Sequence, residues 1–508
     1  MLDDQLTFWA GVVVSIVVLA VLSALFWSNT RLPLHPGPPP KLLSGNIHQI
    51  PGTAPWAAFA EWSRQYGSAI IHYRLFRRHF IILNSVEAVL ALLEHRSNIY
   101  SDRPMQWMYN ELAERGMSVF HISSQHPNHK NYRRLLQSGL NSRAVQGYRG
   151  ILERELQILL DGLVDPPDNF SRHLRRNAGA IVLDVAYGRP VTSDDDYFVS
   201  LMEEAFSLHR QVAQPGRWLV EEIPFLRFVP SWMPGAHFKR FAFSVRDRMK
   251  AIEQAPLKWT KERVASGTAG ESFTSQLLQP QDEHCVDKEE ERIISWCSSA
   301  LYAGGADTTV SIMLSFIALM MQYPDIQKTA QNEIDTVLGN QRLPNLGDQS
   351  FLPYISALLK EILRYSPAAR LGLPHRVIEE DAYGGYRIPK DSTVIANIWA
   401  ICRDPSAYPD PDTFDPNRFL SRHESDPRKL VFGFGRRVCP GAGFAEASLF
   451  LNITNILACF DILKPLDTTT GEEYLPEITY TAGATSHPSP FKCQIDPRAK
   501  ASVHLRDI

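Results

Sequence analysis

A chain of 508 residues, 44% of them hydrophobic, can bury a large core and exceeds the usual size of a single small domain. Its 52 basic and 55 acidic side chains leave a net charge of −3, which gives nucleic-acid binding no electrostatic support. The six cysteines, Cys285, Cys297, Cys402, Cys439, Cys459 and Cys493, are scattered with no C-x-x-C pair, which argues against zinc sites and suits a reducing compartment.

Residues 8–27 (FWAGVVVSIVVLAVLSALFW) carry no charge, and at about 1.5 Å per residue a helix of that length spans a hydrocarbon core of ~30 Å. Trp9 and Trp27 stand near its ends, where amphipathic rings prefer the interface. A cleaved signal peptide has a basic start and an apolar region of only about 7–15 residues. Here Asp3 and Asp4 precede the span while Arg31 and Lys41 follow it. Residues 1–28 therefore read as a retained single-pass anchor with a lumenal amino terminus and a cytosolic body. Asn169 and Asn452, each in a glycosylation sequon, would then stay unmodified. Residues 29–44 contain LPLHPGPPP, which cannot be helical and reads as a stiff, extended spacer. Residues 45–508 read as one body without repeats.

In that body, two strands are expected at 70–73 and 80–83, separated by a basic turn at Arg77 and Arg78. Helical periodicity dominates from about 85 to 365, with helices expected over 151–163, 178–187, 289–322 and 324–338. From 370 to 395 the pattern turns to strands and turns, punctuated by Gly384-Gly385 and Pro389. A last helix is expected over 443–458, with strands near the carboxyl end. The fold class is mainly α with small β-sheets (α+β).

The helix at 289–322 is too long and apolar for a surface position. It contains Ala303-Gly304-Gly305-Ala306-Asp307-Thr308-Thr309, and each glycine costs a helix roughly 1 kcal/mol relative to Ala. Close helix packing is one explanation. A local opening is the other, with the Asp307 carboxyl and Thr308 hydroxyl placed to deliver protons. Glu361 and Arg364 lie three apart on one helical face and can pair. Near the end comes Phe432-Gly433-Phe434-Gly435-Arg436-Arg437-Val438-Cys439-Pro440-Gly441. Its lone thiol lies between glycines, follows two arginines and precedes a helix start, a setting that favours thiolate. A thiolate held so can ligate haem iron, whereas the bland reading is a structural cysteine in a turn.

This run resembles the haem-binding loop of the cytochrome P450 family, Phe-x-x-Gly-x-Arg-x-Cys-x-Gly, at every specified position. The resemblance covers the whole body and implies haem b with Cys439 as axial iron ligand, flanked by Phe432 and Gly441. It implies Arg437, His375, Arg133 and Arg103 as partners of the haem propionates. His129 stands where the family usually has Trp, four residues before Arg133, and can still donate a ring N–H. Asp307 and Thr308 take the places of the family's acid and alcohol, which pass protons during oxygen activation. Phe414-Asp415-Pro416-Asn417-Arg418-Phe419 is similar to the family's Pro-x-Arg-Phe element, so Arg418 is expected to complete a buried network with Glu361 and Arg364. The pocket is expected to draw on 105–120, 298–306, 368–373 and 482–485, which suits a small, mainly apolar substrate.

Neither Gly433-x-Gly435 nor Gly441-x-Gly443 completes a dinucleotide fingerprint. Electrons are therefore expected from NADPH through a membrane-bound cytochrome P450 reductase. A basic face drawn from Arg133, Arg134, Arg428, Lys429 and Arg436 would meet it. The motifs look most like those of fungal microsomal members of secondary metabolism. These would be endoplasmic-reticulum monooxygenases that use O2 to hydroxylate terpenoids first, with polyketides and indole alkaloids also open. A haem-thiolate isomerase or dehydratase that does not use O2, and a non-catalytic haem-binding sensor, are the alternatives.

Overall fold

The computed structural model describes residues 32–164, 169–193, 196–214, 216–279, 286–339, 341–422, 424–467 and 469–499. The apolar span 8–27 and Cys285 lie outside the described residues. Helices dominate: α1 (Pro55–Gln65), α2 (Pro127–Leu140), α3 (Arg149–Val164), α4 (Phe170–Tyr187), α5 (Tyr197–Val212), α6 (His237–Ala265), α7 (Lys288–Gln322), α8 (Pro324–Leu338), α9 (Pro353–Tyr365) and α10 (Ala442–Cys459). Short one-turn segments join them.

The axis of the molecule is α7. Asp287 caps it by accepting the N–H groups of Glu289 (2.7 Å) and Glu290 (2.9 Å), while Glu290 reaches back to the Asp287 N–H. Its 35 residues run about 52 Å at 1.5 Å per residue. Every residue from 310 to 321 is buried, so this half has no polar face. Its hydroxyls are satisfied internally, Ser311 Oγ on the Ser486 carbonyl and Ser315 Oγ on the Ser311 carbonyl. By length and apolarity α7 and α10 could each cross a membrane, yet both are mostly buried in the protein and serve as core. The core forms where α3, α4, α9 and α10 pack around α7.

Strands β1 (Ile70–Leu75), β2 (Arg78–Leu83), β3 (His375–Arg376) and β6 (Thr393–Ala396) make one sheet in the order β1-β2-β6-β3. The β1–β2 hairpin is antiparallel with Leu75 opposite Arg78, and β2 runs parallel to β6 with Phe80 opposite Thr393. Two small ribbons complete the β structure, β4 (Asp381–Tyr383) with β5 (Tyr386–Ile388) and β7 (Phe460–Leu463) with β8 (Gln494–Pro497). This agrees with a mainly α chain bearing small sheets.

The proline run is extended, and it is docked rather than free. Leu34 bridges Arg387, whose N–H donates to the Pro33 carbonyl (2.8 Å). The Pro36 carbonyl accepts the His72 N–H (2.9 Å), and the buried His35 ring stacks on Tyr386. A Cβ on Gly37 would lie 1.9 Å from the His72 carbonyl oxygen, so only glycine lets the run approach the sheet this closely.

Candidate active site

The loop before α10 carries Cys439. Its N–H donates to the Phe432 carbonyl (2.7 Å), which closes the turn. Gly433 (φ 79°) and Gly435 (φ 52°) take left-handed backbone, and a Cβ on Gly435 would lie 2.5 Å from the Leu93 carbonyl oxygen. The thiol opens into a cavity of about 1710 Å³ that also reaches Phe432, Gly441, Gly304 and Thr308. Burial pushes the thiol's pKa up, against the Gly441 N–H and the Arg133 charge. Desolvation here works against the helix start and the cation. A thiol deprotonates outright when it coordinates a metal ion.

Cationic and imidazole groups gather on one side of the cavity. Arg437 donates to the Ser101 carbonyl (2.8 Å) and to that of Ile122. Arg103 donates to the carbonyls of Phe120 (3.0 Å), Leu373 (2.8 Å) and Pro374 (2.7 Å). Burial, aided by Arg133 and opposed by Asp102, lowers Arg437 to about 10, and burial takes Arg103 well below its ordinary value. The Asp102 carboxylate is itself engaged by Arg376. His375 Nδ1 donates to the Tyr100 carbonyl (2.8 Å), and the ring is lowered to about 3, chiefly by burial. His129 is lowered to about 4 by burial and the neighbouring arginines, and its buried Nε2 has no partner. Buried positive charge without an internal counter-anion destabilises a fold. This donor set fits a dianionic, flat ligand such as haem with its two propionates. Arg133, whose charge acts on both Arg437 and His129, also holds the Val438 carbonyl (2.6 Å) beside the thiol.

Across the cavity, α7 stays helical through its glycines. Gly305 is a packing position, since a Cβ there would meet Val182 of α4 at 2.9 Å. Gly304 faces the cavity near Phe120. No helix break marks the expected opening here; the Thr308 hydroxyl donates to the Gly304 carbonyl one turn back (2.7 Å). Asp307 is not a loose acid, because its Oδ1 lies 3.0 Å from His487 Nε2 in the carboxyl-terminal loop. Burial opposes its ionisation, yet His487, Thr485 and Arg175 hold the carboxyl below its ordinary value.

A folded carboxyl held low stabilises the protein above its ordinary pKa, and that contribution is lost as pH falls through the folded value. Asp307→Asn is therefore expected to lower the denaturant midpoint near pH ~7, and to match the parent increasingly closely toward pH ~3 and below. Parallel urea titrations at both pH values check this, and a pH-independent difference would refute the carboxylate assignment.

Behind the loop lies a fully buried network. Glu361 receives Arg364 Nε (2.7 Å) and Nη2 (2.8 Å), Arg418 Nε (3.1 Å) and the Asp415 N–H (2.8 Å). Two guanidiniums against one carboxylate leave a charge uncompensated. Glu424 supplies the balance, 2.8 Å from Arg418 Nη1. Sequence reasoning missed Glu424, although that same charge count called for a second acid.

The pocket is mainly apolar, as expected, with one polar group in its lining. Tyr109, Arg115, His121, His209 of α5, and Glu253 of α6 line it beside Ala300, Leu301 and Ala303. On the face around Cys439, Arg134, Lys429 and Arg436 are exposed. Arg428 is spent on Asp426 and Glu446, which corrects its assignment to a partner-binding face.

Comparison with known proteins agrees with this geometry. The family model for cytochrome P450 matches residues 35–493. Cytochrome P450 monooxygenase 208 of Postia placenta is 38% identical over 496 residues, 96% of this chain and 95% of that protein. Cytochrome P450 monooxygenase claR of Ampulloclitocybe clavipes is 38% identical over 501 residues, 97% and 91% of the two chains. Cytochrome P450 monooxygenase ARMGADRAFT_974139 of Armillaria gallica is 36% identical over 504 residues, 98% of each. Its cysteine loop, its anion-seeking arginines and this likeness over nearly the whole length place the chain in the cytochrome P450 family.

Proposed function

We propose that this cytochrome P450 monooxygenase is a haem-thiolate enzyme that hydroxylates a small, mainly apolar metabolite. The observation that carries the reading is the Cys439 thiol opening into a cavity that Thr308 and Asp307 line from α7. Haem, when bound, would supply the activation of dioxygen and the insertion of one oxygen atom into a C–H bond.

In this reading Cys439 would hold the haem iron through its Sγ, and Phe432 and Gly441, which line the same cavity, would flank the group. Arg437, Arg103, His375 and the unpartnered His129 Nε2 hold the propionates. Arg133 steadies the cysteine loop through the Val438 carbonyl. Asp307, kept ionised and oriented by His487, accepts and passes protons, and the Thr308 hydroxyl hands them to the reacting oxygen. Glu361, Arg364, Arg418 and Glu424 are structural.

Electrons come from NADPH through a separate reductase, which meets the exposed Arg134, Lys429 and Arg436. Membrane association at the endoplasmic reticulum is supported by exposed apolar groups, among them Leu42 (89% exposed) and Phe225 (81%). Gly216 and Ile47 bring their two segments together, since a Cβ on Gly216 would lie 3.7 Å from Ile47 Cδ1. The anchor at 8–27 would complete that attachment. A terpenoid of fungal secondary metabolism suits the apolar part of the lining.

Reconstituted with haem, reductase and a bound substrate, the enzyme is expected to consume NADPH and place labelled oxygen from O2 in its product. Thr308→Ala is expected to bind substrate normally while diverting most of the NADPH to hydrogen peroxide, about a tenfold or greater loss of coupling. Undiminished coupling in that variant would count decisively against the proton role.

A further inference from the structure

A group of polar side chains lines the cavity away from the thiol. The Tyr109 ring lies 4.6 Å from that of His121 and, edge-on, 4.7 Å from that of His209. Ser118 Oγ is 3.0 Å from His121 Nδ1. Arg115 lies 4.5 Å over the Trp296 ring and makes a two-pronged ion pair with Glu253. Its buried Nε has no hydrogen-bond partner. Trp296 is eight residues before Gly304 on α7, so the group stands about 12 Å along the helix from the oxygen-activating segment.

The charge of this group is zero. Glu253 cancels Arg115, and burial together with nearby arginines lowers His209 to about 4 and His121 well below its ordinary value. Two neutral imidazoles each present one donor and one acceptor nitrogen. The Tyr109 phenol offers both a donor and an acceptor. A pure hydrocarbon pressed against these groups would strip their water and return no hydrogen bond, a net loss. A carboxylate would bring a second negative charge up to Glu253. An uncharged oxygen meets neither penalty.

We propose that Tyr109, His121 and His209 form a recognition site for one hydroxyl or carbonyl oxygen on an otherwise apolar substrate. The ligand is thus already oxygenated when it arrives, so a hydroxylating or carbonyl-forming step supplies it. This rests on the monooxygenase reading and adds the substrate's chemical class to it.

The test uses full-length, haem-loaded protein and two matched triplets, limonene, perillyl alcohol and perillic acid, and abietadiene, abietadienol and abietic acid. Binding is read by equilibrium dialysis and by the substrate-induced haem spectrum. In at least one triplet the alcohol is expected to bind about tenfold tighter than its hydrocarbon, with the acid weaker than the alcohol. The double variant Tyr109→Phe, His209→Phe keeps both rings and is expected to erase the alcohol's advantage while hydrocarbon binding holds or improves. Hydrocarbons binding as tightly as alcohols, acids binding tightest, a preference that survives the double variant, or no binding by any member would each overturn the proposal. Failure of the monooxygenase reading shows separately, as an absent thiolate-type spectrum of the reduced carbon monoxide complex.

Discussion

Glu361→Ala is expected to yield a protein that retains little haem and unfolds far below its parent. One Glu361 oxygen takes Arg364, Arg418 and the Asp415 N–H together, and all three charged side chains are 0% exposed. Without it, Arg364 keeps only the carbonyls of Cys402, Pro411 and Thr413. Breaking a buried pair from one side costs about 3–5 kcal/mol, against about 5–15 kcal/mol for a whole domain. Haem content per polypeptide and the thermal midpoint both read the effect. Glu424→Gln should cost less, because Arg418 retains Glu361 and three carbonyls. Normal haem occupancy in Glu361→Ala would remove the network from the account.

Cys439→Ser is expected to separate ligation from folding. Serine fits the loop, and the Cys439 N–H bond to the Phe432 carbonyl does not involve the side chain. A hydroxyl does not supply the electron density of a thiolate to iron. The reduced carbon monoxide spectrum should lose its thiolate character, and product formation should fall by more than about 100-fold, since losing even an outer partner of a metal ligand costs about 10–100-fold. Parental thermal stability of the haem-free forms would show that the loop still folds. An unchanged spectrum would end the haem-thiolate reading.

How much the sequence revealed depended on whether a feature was local. Helix α8 begins at Pro324 and ends at Leu338 as expected, because a proline at its first turn and Gly339 after its last mark both ends. Helix α4 starts eight residues before its expected first residue, 178, at Phe170. There Arg176 and Asn177 are buried against Glu155 of α3, so an ion pair stands where an apolar stripe was sought. The cysteine loop and the Glu361 network were visible because each is written in short motifs. The Asp307–His487 pair and the Tyr109–His121–His209 group were not, since each joins segments remote in sequence by packing alone.

The docked proline run has a mechanical consequence. A loose tether would let the catalytic body tumble over a bilayer and present its opening in any direction. Stitched to β1 and β5 by backbone hydrogen bonds, the segment acts as a bracket that settles where the chain leaves the body. On the proposed membrane attachment, the height and tilt of the entrance would then depend on strand geometry rather than on rope length, and oily molecules dissolved in the membrane would meet an opening held in a constant pose.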